Sequence, residues 1–217
     1  MLLIDGGSNN SSIPDSEDSG VEALALVAVA TNSIVADLKM TPNQPLTFTG
    51  ETQSRSEDAI IAWSFDRFPK TGDETWAVLL PMVKGAVLAM DTVQSFVADM
   101  GGPAIDSFLV TGGSKRGWTT WLTAAVDPRV DIMIPIVFDA LNLDIHVKHH
   151  FAAYGFYSNA MDDHEEFGIF NQLDTPEGQE LVGIVDPYEY RLRYSKIGKV
   201  MLNSTGEKFF PSDSAQF

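Results

Sequence analysis

Cysteine is absent from the 217 residues. That removes a disulfide framework, a thiolate nucleophile and any Cys-based metal site together, while leaving either redox compartment open. Basic residues are scarce. Lys and Arg number 14 against 30 Asp and Glu, a formal net charge of −16. Such a surface repels phosphate backbones and anionic lipid, so nucleic acid and membrane surfaces are not expected partners. No apolar run reaches the roughly 18 residues needed to span a bilayer. A basic leader is also missing: Met1 runs straight into Leu2, Leu3 and Ile4. No signal peptide is expected in this chain, and a start inside an apparent strand suggests a fragment.

What is present is globular in character, with 44% hydrophobic and 20% charged residues, enough chain for one α/β domain. Met1 to Asp5 reads as a buried strand stopped by Gly6 and Gly7. Val21 to Asn32 reads as a helix, and Ser33 to Leu38 as a second strand. That spacing is a βαβ unit, hence parallel pairing with a right-handed crossover. Pro42, Pro45 and Gly50 break the next segment. A helix follows over Ala59 to Phe68, with Glu57 and Asp58 at its start. Trp76 to Met100 is a long helical pattern in which Pro81 predicts a kink or break. Ile105 to Val110 and Val130 to Phe138 are apolar strands flanking a helix over Trp118 to Val126. Asp144 to Tyr154 is helical. Residues 155–183 lose periodicity and read as an irregular, cap-like excursion over the sheet. Asp186 opens a short helix, and Lys199 to Asn203 is a last strand. The fold expected is α/β, a mostly parallel sheet with helices on both faces.

The most informative stretch is Leu109-Val110-Thr111-Gly112-Gly113-Ser114-Lys115-Arg116-Gly117-Trp118. A serine at a strand-to-helix turn is exposed, and the N–H groups after it sit at a helix N-terminus. That suits a nucleophile and a developing oxyanion. The alternative is an ordinary N-cap serine. Ligands of parallel sheets bind at the carboxyl ends of strands. Gly6-Gly7, Ser114, Asp139 and Glu207 all fall at such ends.

His146 and His150 are four apart and share a helical face, which invites a metal reading with His149 nearby. No clear third carboxylate completes the set, so neither a metal nor a cofactor is expected. His164 lies among Asp162, Asp163, Glu165 and Glu166 and reads as part of a solvated acidic loop. Lys115 and Arg116 stand beside the candidate nucleophile. They suit binding a substrate carboxylate, while Arg116 equally suits a clamp to a neighbouring loop.

The chain resembles the PhoPQ-activated pathogenicity-related family, a branch of the α/β-hydrolase superfamily that also includes secreted proliferation repressors. The residues carrying the resemblance are Val110 to Trp118, Asp127-Pro128-Arg129-Val130, Ile134 to Asp139, His149-His150 with Tyr154-Gly155, and Asn203 to Phe210. Leu3 to Asn9 is similar to the family's oxyanion strand and loop. The resemblance implies an α/β-hydrolase fold in a single domain over 1–217, incomplete at both ends. It implies a serine hydrolase acting on a carboxylic ester or related acyl bond, of a small molecule or a carbohydrate. Ser114 would be the nucleophile, with Glu207 or Asp139 as the orienting acid. Lys115 with Gly7 or Ser8 would form the oxyanion hole, and Arg116, His149, His150 and Tyr154 would line the substrate pocket. It also implies a secreted or periplasmic parent protein, of unknown oligomeric state. The chain departs from the G-x-S-x-G pattern, because Arg116 stands where the second glycine belongs and Gly117 follows one residue later. Only ten residues follow Glu207 and none is histidine, so the general base is expected to be missing and the chain inactive alone. A non-catalytic, secreted binding or signalling protein is the alternative.

Overall fold

Five short strands pair into one all-parallel sheet whose centre carries Ser114. The computed structural model describes residues 1–211 and Asp213. Its elements, in order, are β1 (Leu2–Ile4), α1 (Ser19–Thr31), β2 (Ala36–Leu38), β3 (Leu46–Thr47), β4 (Ser54–Arg55), α2 (Asp58–Thr71), α3 (Leu79–Asp99), β5 (Phe108–Gly113), α4 (Lys115–Val126), β6 (Val130–Ile136), α5 (Leu143–Tyr154), α6 (Asp162–Glu166), α7 (Ile169–Gln172), α8 (Pro176–Val185) and β7 (Gly198–Lys199). The sheet order is β2-β1-β5-β6-β7, and each neighbouring pair is parallel. The chain moves outward from β1 to β2, then returns past β1 to β5 and β6. Right-handed crossovers in opposite directions put α1 on one face and α3 with α4 on the other.

The two faces are unequally covered. Leu2, Ile4, Val110 and Met133 share the face under α3 and α4, and each is at most 1% exposed. Leu3, Leu109 and Ile134 point the other way and are half-buried, and Ile132 is exposed. On that side α1 buries no residue at all. The deep core therefore lies between the sheet, α3 and α4, and it extends to α2 and the helices after β6. In α4 every residue from Lys115 to Ala125 is buried. The helix after Ser114 is the most enclosed element of the chain.

The break expected near Pro81 is present: a 3-10 turn over Glu74–Trp76 ends at extended Ala77, and α3 starts at Leu79, with Pro81 in its first turn, where an N–H has no intrahelical acceptor. Three other segments differ from the sequence expectation. Residues 46–55, read as irregular, carry the short antiparallel pair β3 and β4. Residues 155–183 are not irregular. They carry a 3-10 turn at Asn159–Met161 and the helices α6, α7 and α8. These pieces are too short to show a period. Their ends are marked locally instead, as where the Thr175 side chain accepts the Gly178 N–H and Pro176 occupies the first turn of α8. The last strand begins at Gly198, and within the expected Lys199 to Asn203 only an isolated bridge, Ile136 to Leu202, continues it.

Candidate active site

The turn from β5 into α4 holds Ser114 at φ 54°, ψ −125°. A non-glycine residue there costs on the order of 1–3 kcal/mol and persists only where its surroundings hold it. The Ser114 N–H donates to the Ile136 carbonyl at 2.8 Å, fixing the turn to the next strand. Gly112 and Gly117 let the helix lie close. A Cβ on Gly112 would stand 2.7 Å from the Arg116 carbonyl oxygen, and one on Gly117 would stand 3.0 Å from that of Ile136. This explains the shifted glycine: Gly112 makes room for Arg116, and Gly117 carries the close approach to β6. The Ser114 side chain makes no capping hydrogen bond to α4. An N-cap serine has an extended backbone and does make one, so Ser114 is not an N-cap of that kind.

The two cations after Ser114 are tied down. The Arg116 guanidinium donates to both carboxylate oxygens of Glu57, at 2.8 and 2.9 Å, and its Nε donates to the Thr41 carbonyl at 2.6 Å. Lys115 Nζ meets Glu57 at 2.6 Å and Asp58 at 3.2 Å. Burial alone would raise the Glu57 pKa. Hydrogen bonds from Arg116, Lys115 and Gln44 outweigh it and hold the carboxyl at about 2. Gln44 also donates to the Gly7 carbonyl at 2.8 Å and accepts the Glu57 N–H at 2.8 Å. The network thus runs from the glycine loop after β1, through Gln44 and Glu57, to the start of α4. The guanidinium also lies against Gly6, where an added Cβ would meet Nη2 at 2.9 Å.

Ser114 opens onto a cavity of about 110 Å³. Trp118 and Phe138 stack beneath it, at 4.9 Å between centroids, with Phe65 edge-on to Trp118 and Phe210 edge-on to Phe138. The helices between β6 and β7 supply the opposite wall, including Met161, Ile169 and Val182. This helical segment is closed on itself by buried Asp186, which accepts the N–H groups of Asn142, Leu143 and Tyr188 at 3.1, 2.7 and 2.8 Å. One carboxylate pins both ends of the segment.

The structure places the other sequence-derived candidates as follows. Asp139 and Glu207 come together on a second, smaller cavity of about 30 Å³ with Asn203. The Asn203 amide donates to Asp139 at 2.9 Å, and Glu207 accepts the N–H groups of Lys208 and Phe209 at 2.8 and 2.9 Å. Phe210 lines both this cavity and that of Ser114. Gly7 and Ser8 follow β1, and the pairing of Ile4 with Gly112 puts their loop beside the Ser114 turn. Arg116, His149, His150 and Tyr154 are not among the residues lining the Ser114 cavity. His149 Nε2 pairs with Asp213 at 2.8 Å. His150 accepts the Ser158 N–H at Nε2, 3.1 Å, so its Nδ1 carries the proton donated to the Phe209 carbonyl at 3.0 Å. Burial lowers the His150 pKa, the Phe209 hydrogen bond opposes that, and the His149 charge adds to it. Tyr154 packs edge-on against His150.

Sequence reasoning missed Gln44, Glu57 and Asp58 as partners of the serine turn, and it missed His164. That histidine stands on the cavity wall with Asp58 and Lys115 rather than on a solvated loop. Burial lowers its pKa, Asp58 opposes this and Lys115 reinforces it. One signal was available. Adjacent cations at 115–116, in a helix otherwise reading as core, require adjacent acids, and Glu57-Asp58 is such a pair. Arg129 of the Asp127-Pro128-Arg129 run is structural, joining Asp127 to Asp91 on α3.

Comparison with known proteins adds the following. The family described as PhoPQ-activated pathogenicity-related protein matches residues 1–217. Autocrine proliferation repressor protein A of Dictyostelium discoideum is 38% identical over 219 residues, covering 100% of this chain and 43% of that protein. The chain therefore spans less than half the length of this curated relative. No solved structure matches it. With the match running over every residue, this chain belongs to the PhoPQ-activated pathogenicity-related protein family.

Proposed function

We propose that the chain carries the nucleophile and oxyanion site of a serine hydrolase of α/β-hydrolase type, acting on a carboxylic ester or related acyl bond. The observation that carries this reading is Ser114 itself. It is a strained, uncapped serine at the carboxyl end of a central parallel strand, opening onto a cavity. Its Oγ attacks the acyl carbonyl. The oxyanion is met by the Lys115 N–H, one of the first N–H groups of α4, which have no intrahelical acceptor, and by an N–H of Gly7 or Ser8. Such donors are each worth roughly 2.7–4 kcal/mol in the transition state. The serine proton passes to an imidazole oriented by Asp139 or Glu207. In this reading the whole protein supplies the imidazole: His149 and His150 are engaged with Asp213, Phe209 and Ser158, and neither His146 nor His164, which line the Ser114 cavity, is among the residues lining the cavity of Asp139 and Glu207.

Labelling of the full-length protein by a fluorophosphonate probe tests this. Covalent modification at Ser114, abolished in Ser114→Ala, is expected. No labelling, or labelling unchanged by the substitution, would sink the nucleophile assignment. A second reading is a non-catalytic, secreted signalling protein. It is favoured by the name of the Dictyostelium relative, an autocrine proliferation repressor. Under that reading Ser114→Ala leaves the protein's effect on cell proliferation intact.

A further inference from the structure

We infer that the Ser114 cavity is an acyl-group site that takes short, uncharged, apolar acyl chains and rejects anionic and sugar acyl groups. The inference rests on the proposed role of Ser114 and goes on to name the substrate class.

Size is the first argument. The cavity measures about 110 Å³, somewhat smaller than the roughly 150 Å³ apolar cavity that takes up benzene. In proportion it holds about four or five carbon atoms. The walls are the second argument. Aromatic rings of Phe65, Trp118 and Phe138 form one side, and Met161, Ile169 and Val182 the other. None of these offers a hydrogen-bond acceptor or a spare donor to a sugar hydroxyl, since the Trp118 indole N–H is already given to the Val185 carbonyl at 2.6 Å. A hydroxyl buried there would lose water without replacement.

Charge is the third argument. Apart from the Trp118 indole, the polar side chains lining the cavity are those of Ser114, Lys115, Asp58, His164 and His146, the last edge-on to Phe210. Lys115 contacts Asp58, and both act electrostatically on His164. The Lys115 ammonium lies between Glu57 and Asp58, and Arg116 is held by both oxygens of Glu57. Two cations therefore face two carboxylates, and no net positive charge is left for an acidic substrate. Asp163, in electrostatic contact with Asp58, adds a further carboxylate. A carboxylate on the acyl group would lose its hydration and meet negative charge and hydrocarbon.

The test is equilibrium binding of methyl esters to the Ser114→Ala chain, which removes turnover. It is read from the 13C-methyl resonance of Met161, whose side chain lines the cavity and is 8% exposed. From methyl acetate upward, each methylene that enters the cavity is expected to tighten binding about fourfold, levelling off near about five acyl carbons. Monomethyl succinate, close in size to methyl butyrate but anionic, is expected to bind at least about tenfold more weakly. Filling the cavity with Val182→Phe, or with Ala140→Leu should the first variant not fold, is expected to abolish the graded response.

An absence of chain-length dependence, equal binding of monomethyl succinate, or unchanged binding in a folded, filled variant would overturn the inference. Labelling of Ser114 by a methyl fluorophosphonate separates the two levels. Labelling without graded ester binding removes the acyl site and leaves the nucleophile. Graded binding without labelling removes the nucleophile, and with it the acyl-substrate reading of the cavity.

Discussion

Ser114 is held in its turn by its neighbours, and two of them make separate predictions. The first is Gly112. Ala at this position would drive its Cβ to 2.7 Å from a backbone oxygen, whereas nothing lies within 4 Å of a Cβ on Gly113. Gly112→Ala is expected to destabilise by about 3 kcal/mol, the upper end for overpacking. Gly113→Ala is expected to stay within about 0.5 kcal/mol of wild type. Urea denaturation midpoints of the two variants check the contrast. The second is Glu57. Removing its charge leaves two largely buried cations facing an amide. The cost expected is about 2 kcal/mol at neutral pH, below the usual figure for a broken buried pair because Glu57 is partly solvated.

The pH dependence of Glu57 follows from its lowered pKa, about 2 in the folded chain. A depressed carboxyl pKa stabilises the fold fully above its unfolded value near about 4.3. That contribution is lost as pH falls toward about 2. The stability gap between wild type and Glu57→Gln is therefore expected to be full at pH 7 and largely gone near about pH 2. Denaturation curves at several pH values measure it. A gap independent of pH would mean that Glu57 acts through packing alone.

At the scale of elements, the helices between β6 and β7 depend on Asp186. Its carboxylate satisfies three backbone N–H groups from both ends of the segment. Burial nonetheless pushes its pKa up, against the pull of those donors. Asp186→Ala leaves buried N–H groups without acceptors and is expected to cost about 3 kcal/mol. It is also expected to raise the rate of proteolytic cleavage within 155–175, because the segment's two ends are no longer held together. Limited proteolysis with mass-spectrometric mapping tests this, and unchanged cleavage would show that cavity packing alone holds the segment. Sequence periodicity suggested a long, irregular excursion here. The helices α6, α7 and α8 are only 4 to 10 residues long. Over such lengths a helical period cannot be told from none, and the segment's order comes from its wall contacts.

At the scale of the molecule, the excess of carboxylates and the uneven cover of the sheet set the global behaviour. A net charge of −16 over 217 residues repels itself in the compact state. Raising ionic strength from about 10 mM to about 150 mM shortens the screening length from roughly 30 to 8 Å. The expected rise in Tm is about 2–4 °C, equivalent to about 1 kcal/mol for a chain of this size. Differential scanning calorimetry at the two salt concentrations measures it. A fall in Tm would show that salt weakens the Lys115–Arg116–Glu57–Asp58 cluster more than it relieves repulsion. No helix among the described residues is long and apolar enough to cross a membrane.

The sequence by itself determined the alternation of the sheet strands β1, β2, β5 and β6 with their helices, the parallel pairing and the serine turn between β5 and α4. All of these rest on local signals: hydrophobic period, glycine placement and crossover handedness. Only the tertiary structure decided what surrounds the serine. It brought Glu57 to Lys115 and Arg116 across 58 and 59 residues of chain, and it gathered Asp139 and Glu207 on one small cavity. It left His149 and His150 out of the lining of the Ser114 cavity and put His164 and His146 on its wall. Beyond the adjacent cations at 115–116 and the adjacent acids at 57–58, no local pattern carries those pairings. They follow from which charged side chains the packed core leaves room to meet.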